Sequence, residues 1–116
     1  MPLVIVRTVV ELAEDAQVSL LQECSQGIAK RTGKPEAYVM ATFERVPSML
    51  MAGSSAPACL IEVRGVGAFT KTQAKELTAW LCEVVQRRLG VDGARVYVNF
   101  LGFDASMWGF DGSTFG

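Results

Sequence analysis

Residues 3–8, LVIVRT, are a near-continuous apolar run, the pattern of a strand covered on both faces or set inside an assembly. From Glu14 to Thr32 the pattern changes: Val18, Leu20, Leu21, Cys24 and Ile28 recur at helical spacing with polar residues between them. Gly33 then supplies a left-handed cap and Pro35 forbids continuation, so the helix is predicted to end there. Residues 38–45, YVMATFER, read as a second strand.

The second half repeats this order. Residues 58–66, ACLIEVRGV, predict a strand; Thr70 or Thr72 can start a helix that carries Leu77, Trp80, Leu81, Val84, Val85 and Leu89 to a cap at Gly90; and 95–101, RVYVNFL, predict a last strand. VMATF begins six positions after Gly33, and VYVNF six positions after Gly90. The expectation is one α+β domain over 1–116 built from two βαβ repeats, about 1–57 and 58–116. Right-handed crossovers then give a four-stranded mixed sheet with two helices on one face. The other face needs cover, most simply from further copies around a symmetry axis. The tail, FDASMWGFDGSTFG, holds Trp108, Phe110 and Phe115 with no periodic partner in their own chain, and is expected to reach over an edge or a neighbour.

Composition sharpens this picture. Half of the 116 residues are hydrophobic and mean hydropathy is positive, which points to apolar surface buried between subunits. A net charge of −1 with scattered basic residues gives no nucleic-acid footprint. No apolar run reaches bilayer length and no signal-type leader is visible, so the expected compartment is the cytoplasm and no membrane partner is expected. Cys24, Cys59 and Cys82 are widely spaced, without a CxxC pair, and read as reduced filler rather than as a disulfide framework or a zinc site. The chain has no histidine, which removes Ser-His and Cys-His nucleophile chemistry and the commonest metal ligand. No metal and no cofactor are predicted, and acid–base chemistry falls to a carboxylate, a lysine, a tyrosine or the chain's own amine.

That amine is the first candidate. Proline is tolerated at the first residue of a strand for structural reasons alone. If Met1 is removed, however, Pro2 becomes a free secondary amine, and an apolar pocket beside a cation would lower its pKa toward working pH. Lys34, in TGKP, suits the negative end of a helix dipole, and the same position could bind a carboxylate or polarise a carbonyl. Asn99 is an unusual residue for so good a strand, and Tyr97, two positions earlier, points to the same face. Arg64 precedes Gly65 and Gly67, which suit a bulge or a close backbone approach at Val66. Glu11, Glu14, Asp15, Asp92, Asp104 and Asp111 read as caps and solvated charges, with no carboxylate pair at a catalytic spacing.

The order of MPLVIV, TGKPEAYV, GSSAPACLIEV, RVYVNF and GFDGSTFG resembles the macrophage migration inhibitory factor family of the tautomerase superfamily, along essentially the whole chain. The resemblance implies a homotrimer whose sheets face inward, with active sites between subunits. It implies keto–enol tautomerisation of phenylpyruvate-like and dopachrome-like substrates, with Pro2 as catalytic base and no cofactor. Lys34 matches the lysine that meets the substrate's carboxylate or carbonyl, and Val66 matches the aliphatic position whose backbone contacts substrate. Tyr97 and Asn99 match the pair supplied by the neighbouring subunit, while Leu3, Tyr38, Trp108, Phe110 and Phe115 would line the pocket.

The sequence also departs from that family. Where animal members carry a CxxC with a thiol–disulfide activity, this chain has ACLI with Cys59 alone, so that activity is expected to be absent. Trp108 stands where an aliphatic residue is expected and Phe110 where a tryptophan is, which reshapes the rim. Arg64 replaces a common histidine and adds a cation near the entrance, favouring substrates with a carboxylate. Two rival readings stay open at this point: a cytokine-like protein that binds a receptor through a vestigial site, and a decarboxylase or hydratase acting through the same proline.

Overall fold

A computed structural model describes residues 1–116. The first unit is β1 (Leu3–Thr8), α1 (Glu14–Thr32) and β2 (Met40–Arg45); the second is β3 (Cys59–Val66), α2 (Lys71–Leu89) and β4 (Val96–Phe103). Within each unit the strands pair in parallel, and β1 joins β3 antiparallel, giving a mixed sheet in the order β2-β1-β3-β4. The predicted α+β fold of two βαβ units is therefore the observed one. No helix is long and apolar enough to cross a membrane.

Alternation sorts the strand residues between two faces. Val4 and Val6 of β1 and Cys59, Ile61 and Val63 of β3 meet Leu20, Cys24 and Ile28 of α1 and Leu77, Leu81, Val84, Val85 and Leu89 of α2 in one contiguous core. Val18, expected inward, is 48% exposed, and Gly27 is buried with Leu20, Cys24 and Ile28. Trp80 lies over that glycine, where a Cβ would come within 1.9 Å of the indole, and the Arg31 guanidinium lies over the ring at 4.1 Å from its centroid. Both helices end as expected, at Gly33 and Gly90 in the left-handed conformation. Thr70 caps α2 with a complete capping box, whereas Ala13 offers α1 no side-chain cap.

The strand boundaries differ instructively. Residues 36–38 form a 3-10 turn, with Tyr38 N–H donating to the Pro35 carbonyl at 3.1 Å, so β2 starts at Met40 and Tyr38 leaves the sheet. β4 runs two residues past the predicted Leu101, because β3 continues beside it: Gly65 pairs with Gly102 and Val66 with Phe103. The close backbone approach expected at Val66 falls one residue later, where a Cβ at Gly102 would stand 2.1 Å from the Gly67 carbonyl oxygen.

The open face corrects the expectation of an apolar surface. Across it run the rows Met40–Leu3–Arg64–Leu101, Thr42–Ile5–Glu62–Asn99 and Glu44–Arg7–Leu60–Tyr97. An ion-pair ladder crosses these rows: Arg7 meets Glu44 at 2.7 Å and Glu62 at 3.0 Å, and Glu62 also takes Arg64 at 2.8 Å. The apparently continuous run LVIVRT hides this, because Arg7 is a single residue whose partners come from two other strands. The tail is a second correction. Its aromatics find partners in their own chain, because Asp111 and Gly112, at φ +48° and +79°, close a hairpin of β5 (Gly109–Phe110) and β6 (Ser113–Thr114). The Asp-Gly pair is the short-range signal for such a turn. Phe110 and Phe115 stack at 5.3 Å, each meets Tyr38 edge-on, and Trp108 packs on Phe103 at 5.6 Å.

Candidate functional site

β1 begins in the sheet interior, between β2 and β3, so its first residues are surrounded. Pro2 is buried, and its carbonyl accepts the Met40 N–H at 3.0 Å, which ties it to the edge strand without needing the N–H that proline lacks. Two cavities open from this point, and Met1 and Pro2 line both.

The first, about 200 Å³, lies toward the helices and is lined by Thr32, Lys34, Val66 and Gln73 among others. The α1 terminus puts Lys34 there: Gly33 reverses the backbone, and the Lys34 N–H donates to Thr32 Oγ1 at 3.4 Å. The Lys34 ammonium forms no ion pair, and no acidic residue lines this lobe. Its field is felt locally. The Met1 amine is held below its ordinary pKa by partial burial and, second, by the charge of Lys34.

The second cavity, about 370 Å³, is predominantly apolar, with Leu3, Tyr38, Trp108, Phe110 and Phe115 along its walls. Of the sequence-predicted residues, Pro2, Lys34, Val66, Leu3, Tyr38, Trp108, Phe110 and Phe115 are thus gathered by one chain. Three are not. Arg64, expected as a cation near the entrance, lines neither cavity in this chain and pairs with Glu62 on the open face at 2.8 Å. Asn99 and Tyr97 lie down β4 from the Pro2 end, beside Glu62 and Leu60, and Tyr97 instead borders an apolar hollow with Met49, Leu50 and Met51. Gln73 was missed by the sequence reading. Its signal was the capping-box spacing from Thr70, which places the helix start but says nothing of a cavity.

Burial pushes the thiols of Cys24 and Cys59 up to about 12, which leaves them protonated and unreactive at neutral pH. All three cysteines are free.

Comparison with known proteins adds a second line of observation. The family model described as macrophage migration inhibitory factor (MIF) matches residues 1–116. The macrophage migration inhibitory factors of Meriones unguiculatus and Rattus norvegicus are each 34% identical over 117 residues, covering 99% of this chain and 99% of theirs. The crystal structure of a macrophage migration inhibitory factor homologue from Prochlorococcus marinus superposes with a TM-score of 0.92 at 37% identity, over 98% of this chain and 99% of that one.

Proposed function

The chain belongs to the macrophage migration inhibitory factor family, in the tautomerase superfamily, and on that footing we propose that it is a keto–enol tautomerase for phenylpyruvate-like acids. The observation that carries this reading is the position of Pro2, shared by a lobe holding an unpaired lysine and a lobe walled by aromatic rings. An aryl pyruvate has the matching halves, a carboxylate and a ring, with the exchangeable proton between them. Dopachrome-like substrates share that division and form the second class.

In the full chain the Pro2 nitrogen is an amide and carries no basic lone pair. Removal of Met1 frees it as a secondary amine at a buried position near Lys34, and burial and that charge, the two influences that lower the Met1 amine, favour the neutral base. Pro2 then takes the enol proton and delivers a proton to the benzylic carbon, or the reverse, while Lys34 holds the charge that develops on oxygen. Asn99 and Tyr97 are too far along β4 to join their own Pro2, so their part in the site comes from a second copy. This accords with a homotrimer in which each open sheet face turns inward and each site spans two chains.

The test is phenylpyruvate ketonisation, followed by ultraviolet absorbance on protein whose intact mass shows Met1 removed. Turnover should fall by roughly 100-fold or more in Pro2→Gly with the oligomer intact, in line with removal of a general base. Equal rates in the two proteins would refute the assignment.

A further inference from the structure

The polar lobe holds a second donor, and the capping box fixes which end of its amide is free. Gln73 is the third residue of α2. Its backbone N–H donates to Thr70 Oγ1 at 3.1 Å, and its side-chain Oε1 accepts the Thr70 N–H at 3.0 Å. A backbone N–H can only donate, so the amide oxygen is committed to Thr70 and the NH2 group is what remains. No protein acceptor takes that NH2. No buried side-chain polar atom lacks a partner, so the group meets open space rather than being sealed in. Gln73 lines the same cavity as Pro2 and Lys34. The other side-chain donor there, the Thr32 hydroxyl, is already spent on the Ile28 carbonyl at 2.6 Å.

We propose that the Gln73 side-chain amide is a substrate-binding group, which together with Lys34 receives the two oxygens of the substrate's carboxylate. This rests on the reading of the site given above and deepens it, because it names what the smaller lobe recognises. An ammonium alone is a point charge that attracts an anion without orienting it. A planar amide held at its oxygen end adds direction: one carboxylate oxygen faces Lys34, the other faces the Gln73 NH2, and the enol oxygen and benzylic carbon are turned toward Pro2. The division of labour also explains why the helix start carries Gln at this position, where a glutamate would serve the capping box equally well. A carboxylate at 73 would close the lobe to anions.

Two variants separate recognition from folding. Gln73→Glu keeps the acceptor for the Thr70 N–H and puts a negative charge at a helix N-terminus, so its melting temperature should match or exceed that of the wild type. Gln73→Met removes the amide without adding charge. Phenylpyruvate binding to the protein beginning at Pro2, measured by titration calorimetry, should weaken by at least about 10-fold in Gln73→Glu and about 5-fold in Gln73→Met, in line with the loss of a hydrogen bond to a charged group. The methyl ester of phenylpyruvate should bind all three proteins within about twofold. Unchanged affinity in Gln73→Met, equal losses for acid and ester, or no binding of the acid by any of the three would overturn the assignment. Gln73-dependent binding without turnover by the wild type would sustain the carboxylate anchor and dismiss the tautomerase.

Discussion

The two βαβ units run on the same backbone plan and put it to opposite uses. Each helix ends at a left-handed glycine, and each is followed by a short 3-10 turn and a strand. After Gly33 comes Lys34, exposed and unpaired, and Tyr38 at the end of the turn stands in the aromatic wall. After Gly90 the same two places hold Val91, 1% exposed, and Arg95. The Arg95 guanidinium donates to the carbonyls of Met51, Ser54, Ala56 and Pro57 at 3.0–3.1 Å, and so holds the loop before β3. One junction is left open for a ligand while its counterpart is closed on its own chain. The strand starts differ in parallel: only Met1 and Pro2 precede β1, whereas β3 begins at Cys59, and the carbonyl of the preceding Ala58 is taken by the Thr8 hydroxyl at 2.7 Å. Duplication supplies the scaffold, and the two cavities that meet at Pro2 belong to the first copy's side of it.

Exchanging features between the copies tests this. Arg95→Ala should have the largest effect, about 3 kcal/mol of stability read by urea denaturation, because four carbonyls lose a charged donor at once. An effect under about 1 kcal/mol would mean that the loop holds itself. Lys34→Val gives the first junction the residue of the second. It should lower kcat/KM for phenylpyruvate roughly 100-fold, about 2.7 kcal/mol, with the melting temperature unchanged. A loss of stability instead would make Lys34 a helix-end residue only.

Smaller changes probe how the helices are held together. Gly27→Ala forces a methyl into Trp80 and should cost about 2 kcal/mol through overpacking; wild-type stability would show that the indole moves aside freely. Glu23 of α1 bonds Arg87 of α2 at 2.6 Å and also pairs with Arg88. The hydrogen bond from Arg87 is the largest influence drawing the Glu23 carboxyl from 4.5 to about 2. Since the folded value is the depressed one, this contribution is complete above about pH 4.5 and fades as pH falls toward 2. Glu23→Gln should therefore cost about 1 kcal/mol at neutral pH and bring the two proteins together near pH 2. Parallel stability curves across that range would place the helix contact elsewhere.

The elements were legible because their signals are local. A left-handed glycine followed by proline or aspartate stops a helix wherever it occurs, and alternation along 58–66 marks a strand without reference to its partners. Tyr38 was misplaced by two residues because its strand propensity is real and was overruled by the turn that begins at Pro35. The tail hairpin has its signal in the sequence, Asp111-Gly112, whereas the pairing of its aromatics with Tyr38 depends on residues far apart in the chain. The place of Gln73 beside Pro2 and Lys34 is not legible locally, since that cavity is made by the N-terminal residues, the end of α1, the end of β3 with the loop after it, and the first turn of α2.

The amino-acid sequence by itself determined two βαβ units, their caps and a proline at the mouth of the first strand, because periodicity and turn chemistry act over a few residues. Only the tertiary structure decided which of the two helix ends is open, that Arg64 is occupied by Glu62, and that Pro2 stands between a cationic lobe and an aromatic one. Those facts depend on residues far apart in the chain meeting across the sheet, and strand order and register exist only once the sheet has formed.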